Sequence, residues 1–143
     1  LFSLGVSQIS AESRTAPGGY EQEDNNRDIA TQFTIGDQRS LDEVVGSLIA
    51  HGFIPSFCAA CYRAERTGEA FMNLARPGTI KNKCNLNALI TLKEYLDDFA
   101  SDKVKKDGYR LIQEISAGLA PQEKQALSRF LEEIERGVRD RYV

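Results

Sequence analysis

The three cysteines of this chain, Cys58, Cys61 and Cys84, fall in one stretch with the spacing Cys-x2-Cys-x22-Cys. Two cysteines three apart can point at one metal centre. A third, brought back by a folded connection, completes a face of three thiolates. Three thiolates with no obvious fourth protein ligand suit an iron–sulfur cluster with one open iron corner, whereas a closed structural zinc site takes four protein ligands. His51, the one histidine, lies seven residues before Cys58 and could complete a Cys3His zinc site, although nothing in the spacing requires it. In the last turn of a helix it would serve equally as a favourable positive charge. The third possibility is three inert thiols, since free cysteine packs as a small hydrophobe.

The surroundings favour a metal. Cys58 and Cys61 stand in Phe57-Cys58-Ala59-Ala60-Cys61-Tyr62-Arg63, aromatic and basic, not on an apolar helical stripe. Residues 58–84 carry Arg63, Arg66, Arg76, Lys81 and Lys83 against Glu65 and Glu69, a local balance of +3. A thiolate-ligated cluster is anionic and gains from such a surround. Cys84 is expected just before a helix starting at Asn85, where first-turn N–H groups would lower its pKa and reach cluster sulfur. Closing the 22-residue connection costs about 2.7 kcal/mol beyond a constant, which metal binding would offset. A second candidate is Ser10-Ala11-Glu12-Ser13-Arg14-Thr15, where the Arg14 fork beside small hydroxyls could clamp a carboxylate.

The elements that must position these groups are mostly helices. Ser40-Leu41-Asp42-Glu43 is a capping box, followed by Leu41, Val44, Val45, Leu48 and Ile49 at helical spacing and a stop at Gly52. Thr67–Leu74 reads as a short helix broken by Arg76-Pro77-Gly78. From Asn85 a long helix carries Leu86, Leu89, Ile90, Leu96 and Phe99. Another, within Val104–Leu119, carries Leu111, Ile112, Ile115 and Leu119. The last begins near Pro121 and carries Leu127, Phe130, Leu131, Ile134 and Val138. Ahead of these, Leu4–Ile9 reads as a short strand running into the polar loop 10–15. Glu21–Thr31 reads as an exposed linker, and Gln32–Ile35 as a short extended piece.

The chain has 143 residues and a formal net charge of −3, enough for one domain with a core and too mild for a nucleic-acid binder. No run of 18 apolar residues suggests a membrane span. The N-terminal run lacks a basic flank and a cleavage site, and reads as though cut from something larger. An odd number of cysteines argues against a disulfide framework and for a reducing, cytoplasmic location.

Pro55-Ser56-Phe57-Cys58-Ala59-Ala60-Cys61-Tyr62-Arg63, then Arg66-Thr67-Gly68 and Phe71-Met72, resembles the C-terminal region of the HydG family. These are radical S-adenosylmethionine tyrosine lyases that mature [FeFe]-hydrogenase. The resemblance extends upstream to Ser10–Tyr20 and downstream through Asn87-Ala88-Leu89 and Glu94-Tyr95-Leu96, covering about residues 1–100. Glu12 and Glu65 stand where the family carries glycine.

This resemblance implies a mainly α fold: a helical auxiliary-cluster domain over residues 21–143, preceded in residues 1–20 by the last strand and loop of an otherwise missing (β/α) radical-SAM barrel. It implies that Cys58, Cys61 and Cys84 hold an auxiliary [4Fe-4S] cluster associated with an additional iron and L-cysteine. Ser10, Ser13 and Arg14 would help bind the amino-acid substrate. The parent would be a carbon–carbon lyase that splits tyrosine to p-cresol and dehydroglycine. Carbon monoxide and cyanide from dehydroglycine would be assembled on iron for the hydrogenase H-cluster, with other maturation proteins as partners. The Cys-x3-Cys-x2-Cys motif for the catalytic [4Fe-4S] cluster and S-adenosylmethionine is missing here and is expected upstream, so no catalytic residue is assigned and the fragment alone should be inactive. The alternative is a zinc- or cluster-stabilised interaction domain with no chemistry of its own.

Overall fold

The computed structural model describes residues 2–15, 33 and 36–143. The chain divides into two compact units, residues 1–44 and 45–143.

The described part of the first unit has no strand. Phe2–Leu4 is a 3-10 turn, closed by the Gly5 N–H donating to the Phe2 carbonyl at 3.0 Å, and residues 6–11 have no regular structure. The strand expected over Leu4–Ile9 is therefore not formed. A strand is held by bonds to a neighbour, and no paired strand exists among the described residues. The loop that follows is anchored locally. Thr15 Oγ1 donates to the Phe33 carbonyl at 2.8 Å, and Glu12 Oε2 accepts from the Leu41 N–H at 3.2 Å. The linker expected over 21–31 lies outside the described residues, as does all of the piece at 32–35 except Phe33.

Helix α1 spans Leu41–Ala50. Its capping box forms as the sequence predicts: the Glu43 N–H donates to Ser40 Oγ at 3.2 Å, and the Ser40 N–H donates to Glu43 Oε2 at 2.8 Å. Gly52, at φ 76°, supplies the left-handed residue that ends the helix.

Five more helices build the second unit: α2 Ala60–Arg63, α3 Gly68–Ala75, α4 Ile80–Asp98, α5 Asp102–Ala117 and α6 Pro121–Glu135. Helix α4 is the centre, packed by α3, α5 and α6. Its residues Leu89, Ile90, Leu92 and Leu96 have no exposed surface, so it is buried on most sides from Leu86 onward. Helix α5 faces it with Val104, Leu111 and Ile112, and α6 contributes Leu127, Phe130 and Ile134 to the core. Two expected boundaries move. Helix α4 begins at Ile80, not Asn85, because adding a turn to an existing helix is cheap even where the residues are polar. Helix α6 stops at Glu135, so Val138 lies beyond it. Gly137, at φ 89°, turns the chain away.

Helices α4 and α5 meet closely at Gly108. A Cβ there would come within 2.6 Å of both Leu96 methyls, and Leu96 is fully buried. Gly108→Ala is expected to destabilise the domain by about 1–3 kcal/mol through overpacking, although alanine gains about 1 kcal/mol of helix propensity. Urea unfolding checks this. A variant as stable as the wild type would mean that the helices can separate freely.

Sequence periodicity did not reveal a polar network inside this interface. Lys93 Nζ lies 2.9 Å from Asp97 Oδ2 and 3.2 Å from Tyr109 Oη, and the Tyr109 hydroxyl donates to Asp97. The Lys93 and Asp97 side chains are 7% and 15% exposed. No helix among the described residues is long and apolar enough to cross a membrane.

Candidate metal centre

The three thiols come from one loop and the first part of one helix. The loop is docked on α4 just before the cysteines. The Phe57 ring stacks on Tyr95 with centroids 5.0 Å apart, and the Phe57 N–H donates to Thr91 Oγ1 at 3.2 Å. Pro55 is buried, and Ala60 is only 2% exposed. This apolar anchoring leaves Cys58 exposed and Cys61 half-buried. The Ala60 N–H points at Cys58 Sγ, 3.4 Å away, so a backbone donor is already directed at sulfur.

Cys61 lies in the short helix α2. The Arg66 N–H donates to the Cys61 carbonyl at 2.7 Å and closes the turn after it. Glu65 takes φ 54° in that turn, and Glu12 takes φ 55° in the first unit. The left-handed region penalises an L side chain by roughly 1–2 kcal/mol and glycine not at all. A glycine at either position would carry no such cost. Glu12 offsets part of this cost through its bond to the Leu41 N–H, where a helix start favours a carboxylate.

Cys84 is exposed and is the fifth residue of α4, not the residue before its start. The expected help from free first-turn N–H groups is therefore withdrawn, since only the first four N–H groups of a helix lack partners within it. Burial pushes the Cys84 thiol up, the neighbouring Cys61 and Cys58 push it further, and Arg66 pulls it back. Cys84 thus feels both other cysteines and a cationic side chain. Arg63 is turned to Asp140, 3.0 Å away.

His51 does not join this group in any described contact. It follows α1 and its Nδ1 lies 2.7 Å from the Ser47 carbonyl, to which it donates. Among the described residues, no three His, Cys, Asp or Glu side chains are gathered so as to hold a metal ion. The donor chemistry, three thiols with an N–H directed at Cys58 sulfur and the Arg66 guanidinium acting on Cys84, is of the kind that suits a thiolate-ligated group.

Ser10, Ser13 and Arg14 belong to the other unit. Ser10 and Arg14 are exposed and Ser13 is half-buried, on a loop without regular structure.

The second unit is thus a helical domain that supports three thiols on one docked loop and the helix beneath it. A crystal structure of HydG, a maturase of the [FeFe]-hydrogenase, matches this chain with a TM-score of 0.89 and 40% sequence identity over 99% of its length. The chain spans 30% of the length of that HydG chain. The resemblance to the C-terminal region of HydG, read from the cysteine motif, therefore extends through the whole helical fold. No protein-family model matches the chain, and no curated protein does.

Proposed function

We propose that this chain is the auxiliary-cluster part of a HydG-like radical S-adenosylmethionine tyrosine lyase. The observation that carries the reading is the match to a HydG structure over nearly the whole of a chain whose three cysteines, Cys58, Cys61 and Cys84, are all free thiols. Cys58, Cys61 and Cys84 would hold an auxiliary [4Fe-4S] cluster. When bound, that cluster would supply one iron without a protein thiolate, open to L-cysteine and to an additional iron. The domain's own contribution is ligation, a sulfur-directed N–H from Ala60 and positive charge from Arg66. Carbon monoxide and cyanide, from dehydroglycine made by tyrosine cleavage elsewhere in the parent, would be assembled on iron there for the H-cluster. Ser10, Ser13 and Arg14 would contact the amino-acid substrate. S-adenosylmethionine and a second [4Fe-4S] cluster would belong to the rest of the parent, and other hydrogenase maturation proteins would receive the product in the cytoplasm.

Anaerobic reconstitution with iron and sulfide is expected to give a brown protein absorbing near 400 nm, with iron and sulfide in equal amounts. L-Cysteine added to the reduced protein is expected to change its electron paramagnetic resonance spectrum, because three ligands leave one iron exchangeable. Uptake of one zinc with no sulfide would favour the alternative, an interaction domain stabilised by a metal.

A further inference from the structure

Residues 138–143 have no helix or strand and carry no thiol, yet they are fixed by side chains from several elements. Arg139 forms a two-bond fork on Asp98 of α4, at 2.7 and 2.6 Å. Arg141 donates to Glu133 of α6 at 2.6 Å, and its N–H donates to Glu94 of α4 at 3.3 Å. Asp140 pairs with Arg63 at 3.0 Å, and the same guanidinium lies 5.2 Å from the centre of the Tyr142 ring. At Val143 the contacts converge. Its N–H donates to Asn87 Oδ1 at 2.8 Å, and its carbonyl accepts from Asn87 Nδ2 at 3.5 Å and from Arg66 Nη1 at 3.0 Å.

These contacts reach both carriers of the thiols. Arg63 and Arg66 flank the turn after Cys61, and Asn87 is one helical turn along α4 from Cys84. Exposed ion pairs such as Arg63–Asp140 contribute only about 0–1 kcal/mol each. The firmer hold is at Asn87, which is 3% exposed and has both amide atoms on the Val143 backbone. Removing one side of a buried hydrogen bond costs more than the bond contributes, because its partner is left unsatisfied.

We propose that residues 138–143 are a strap that positions the Cys61–Arg66 turn against the start of α4, with Asn87 as the positioning residue that clasps it. This deepens the cluster-binding reading and rests on it for its purpose. The strap holds Arg66 by its guanidinium while Arg66 holds Cys61 by its backbone, so strap and thiol form one mechanical chain. Without the clasp, the 61–66 turn is tied to the strap only by the Arg66–Val143 bond and the exposed Arg63 contacts, and Val143 loses its buried hold on α4.

The test begins on the metal-free protein. Asn87→Leu removes both amide bonds at similar volume, and is expected to speed thiol labelling of Cys61 at least tenfold while hydrogen exchange in α5 stays at wild-type rates. Asn87→Asp keeps the acceptor for the Val143 N–H and is expected to restore most of the protection. After reconstitution, Asn87→Leu is expected to shift the cluster's midpoint potential at unchanged iron content. Wild-type labelling in folded Asn87→Leu would overturn the proposal. Should that variant not fold, Arg139→Ala/Arg141→Ala releases the strap without entering the core, and unchanged labelling there overturns it equally. A wild-type protein that takes up no iron refutes the cluster reading, while the metal-free rates still decide whether the strap holds the loop.

Discussion

Replacing any one of Cys58, Cys61 or Cys84 by Ala is expected to abolish cluster retention after anaerobic reconstitution. One corner is already without a protein thiolate, so loss of a second leaves two thiolates, too few to hold the cluster against loss to solvent. Iron per chain is expected to fall close to background in each single variant, not to two thirds. The reason lies in how the thiols are held. Cys58 and Cys61 share one docked loop and Cys84 belongs to α4, so each thiol comes from a fixed place in the second unit. The helical core is built around α4 below the cysteines, so circular dichroism and the melting transition should change little in these variants. In a full-length parent, the same substitutions should leave p-cresol formation intact and stop delivery of the iron carbonyl–cyanide product. Normal iron content in the triple-Ala variant would refute the assignment.

The largest expected effect on stability is at Asp97. Asp97→Ala is expected to destabilise the domain by about 3 kcal/mol, the lower end of the cost of breaking a buried ion pair. Lys93 would keep the Tyr109 hydroxyl and a Glu135 carboxylate 3.7 Å away, which hold the effect to that end. Replacing Lys93, Asp97 and Tyr109 together by Met, Leu and Phe should recover most of the loss, because the desolvation cost disappears with the charges.

The pH dependence of this network follows from two opposed shifts. Burial alone would push the Asp97 carboxyl up, but hydrogen bonds from Tyr109 and Lys93 outweigh it and hold the pKa below its ordinary 3.8. Burial alone would pull Lys93 down, but its bonds to Asp97 and Tyr109 outweigh it and hold the pKa above 10.5. A depressed carboxyl contributes stability present above its unfolded pKa and lost as pH falls through the folded one. A raised amine contributes stability present below its unfolded pKa and lost as pH rises through the folded one. The stability gap between wild type and Asp97→Ala should therefore be flat from about pH 5 to 9 and shrink in acid below about pH 4. Denaturant titrations across that range check it, and a gap that widened in acid would contradict the network's sign.

Much of this protein is determined locally and was legible in its sequence. The Ser40–Glu43 box, the stop at Gly52, the break at Arg76-Pro77-Gly78 and the stripes of α5 and α6 all act within four residues along the chain, which is the range over which helix signals operate. The spacing of Cys58, Cys61 and Cys84 and the arginines among them are likewise properties of the chain alone. Tertiary structure decided the rest. Helix α4 is buried on most sides and begins with polar residues, so no stripe marked its start, and Cys84 fell inside it. The strand expected at Leu4–Ile9 needed a partner that no local pattern can supply. Lys93 meets Tyr109 sixteen residues away, and Asn87 meets Val143 fifty-six residues away. Such pairings depend on how α4, α5 and α6 pack, and periodicity within one helix carries no record of which polar residue its neighbour will present.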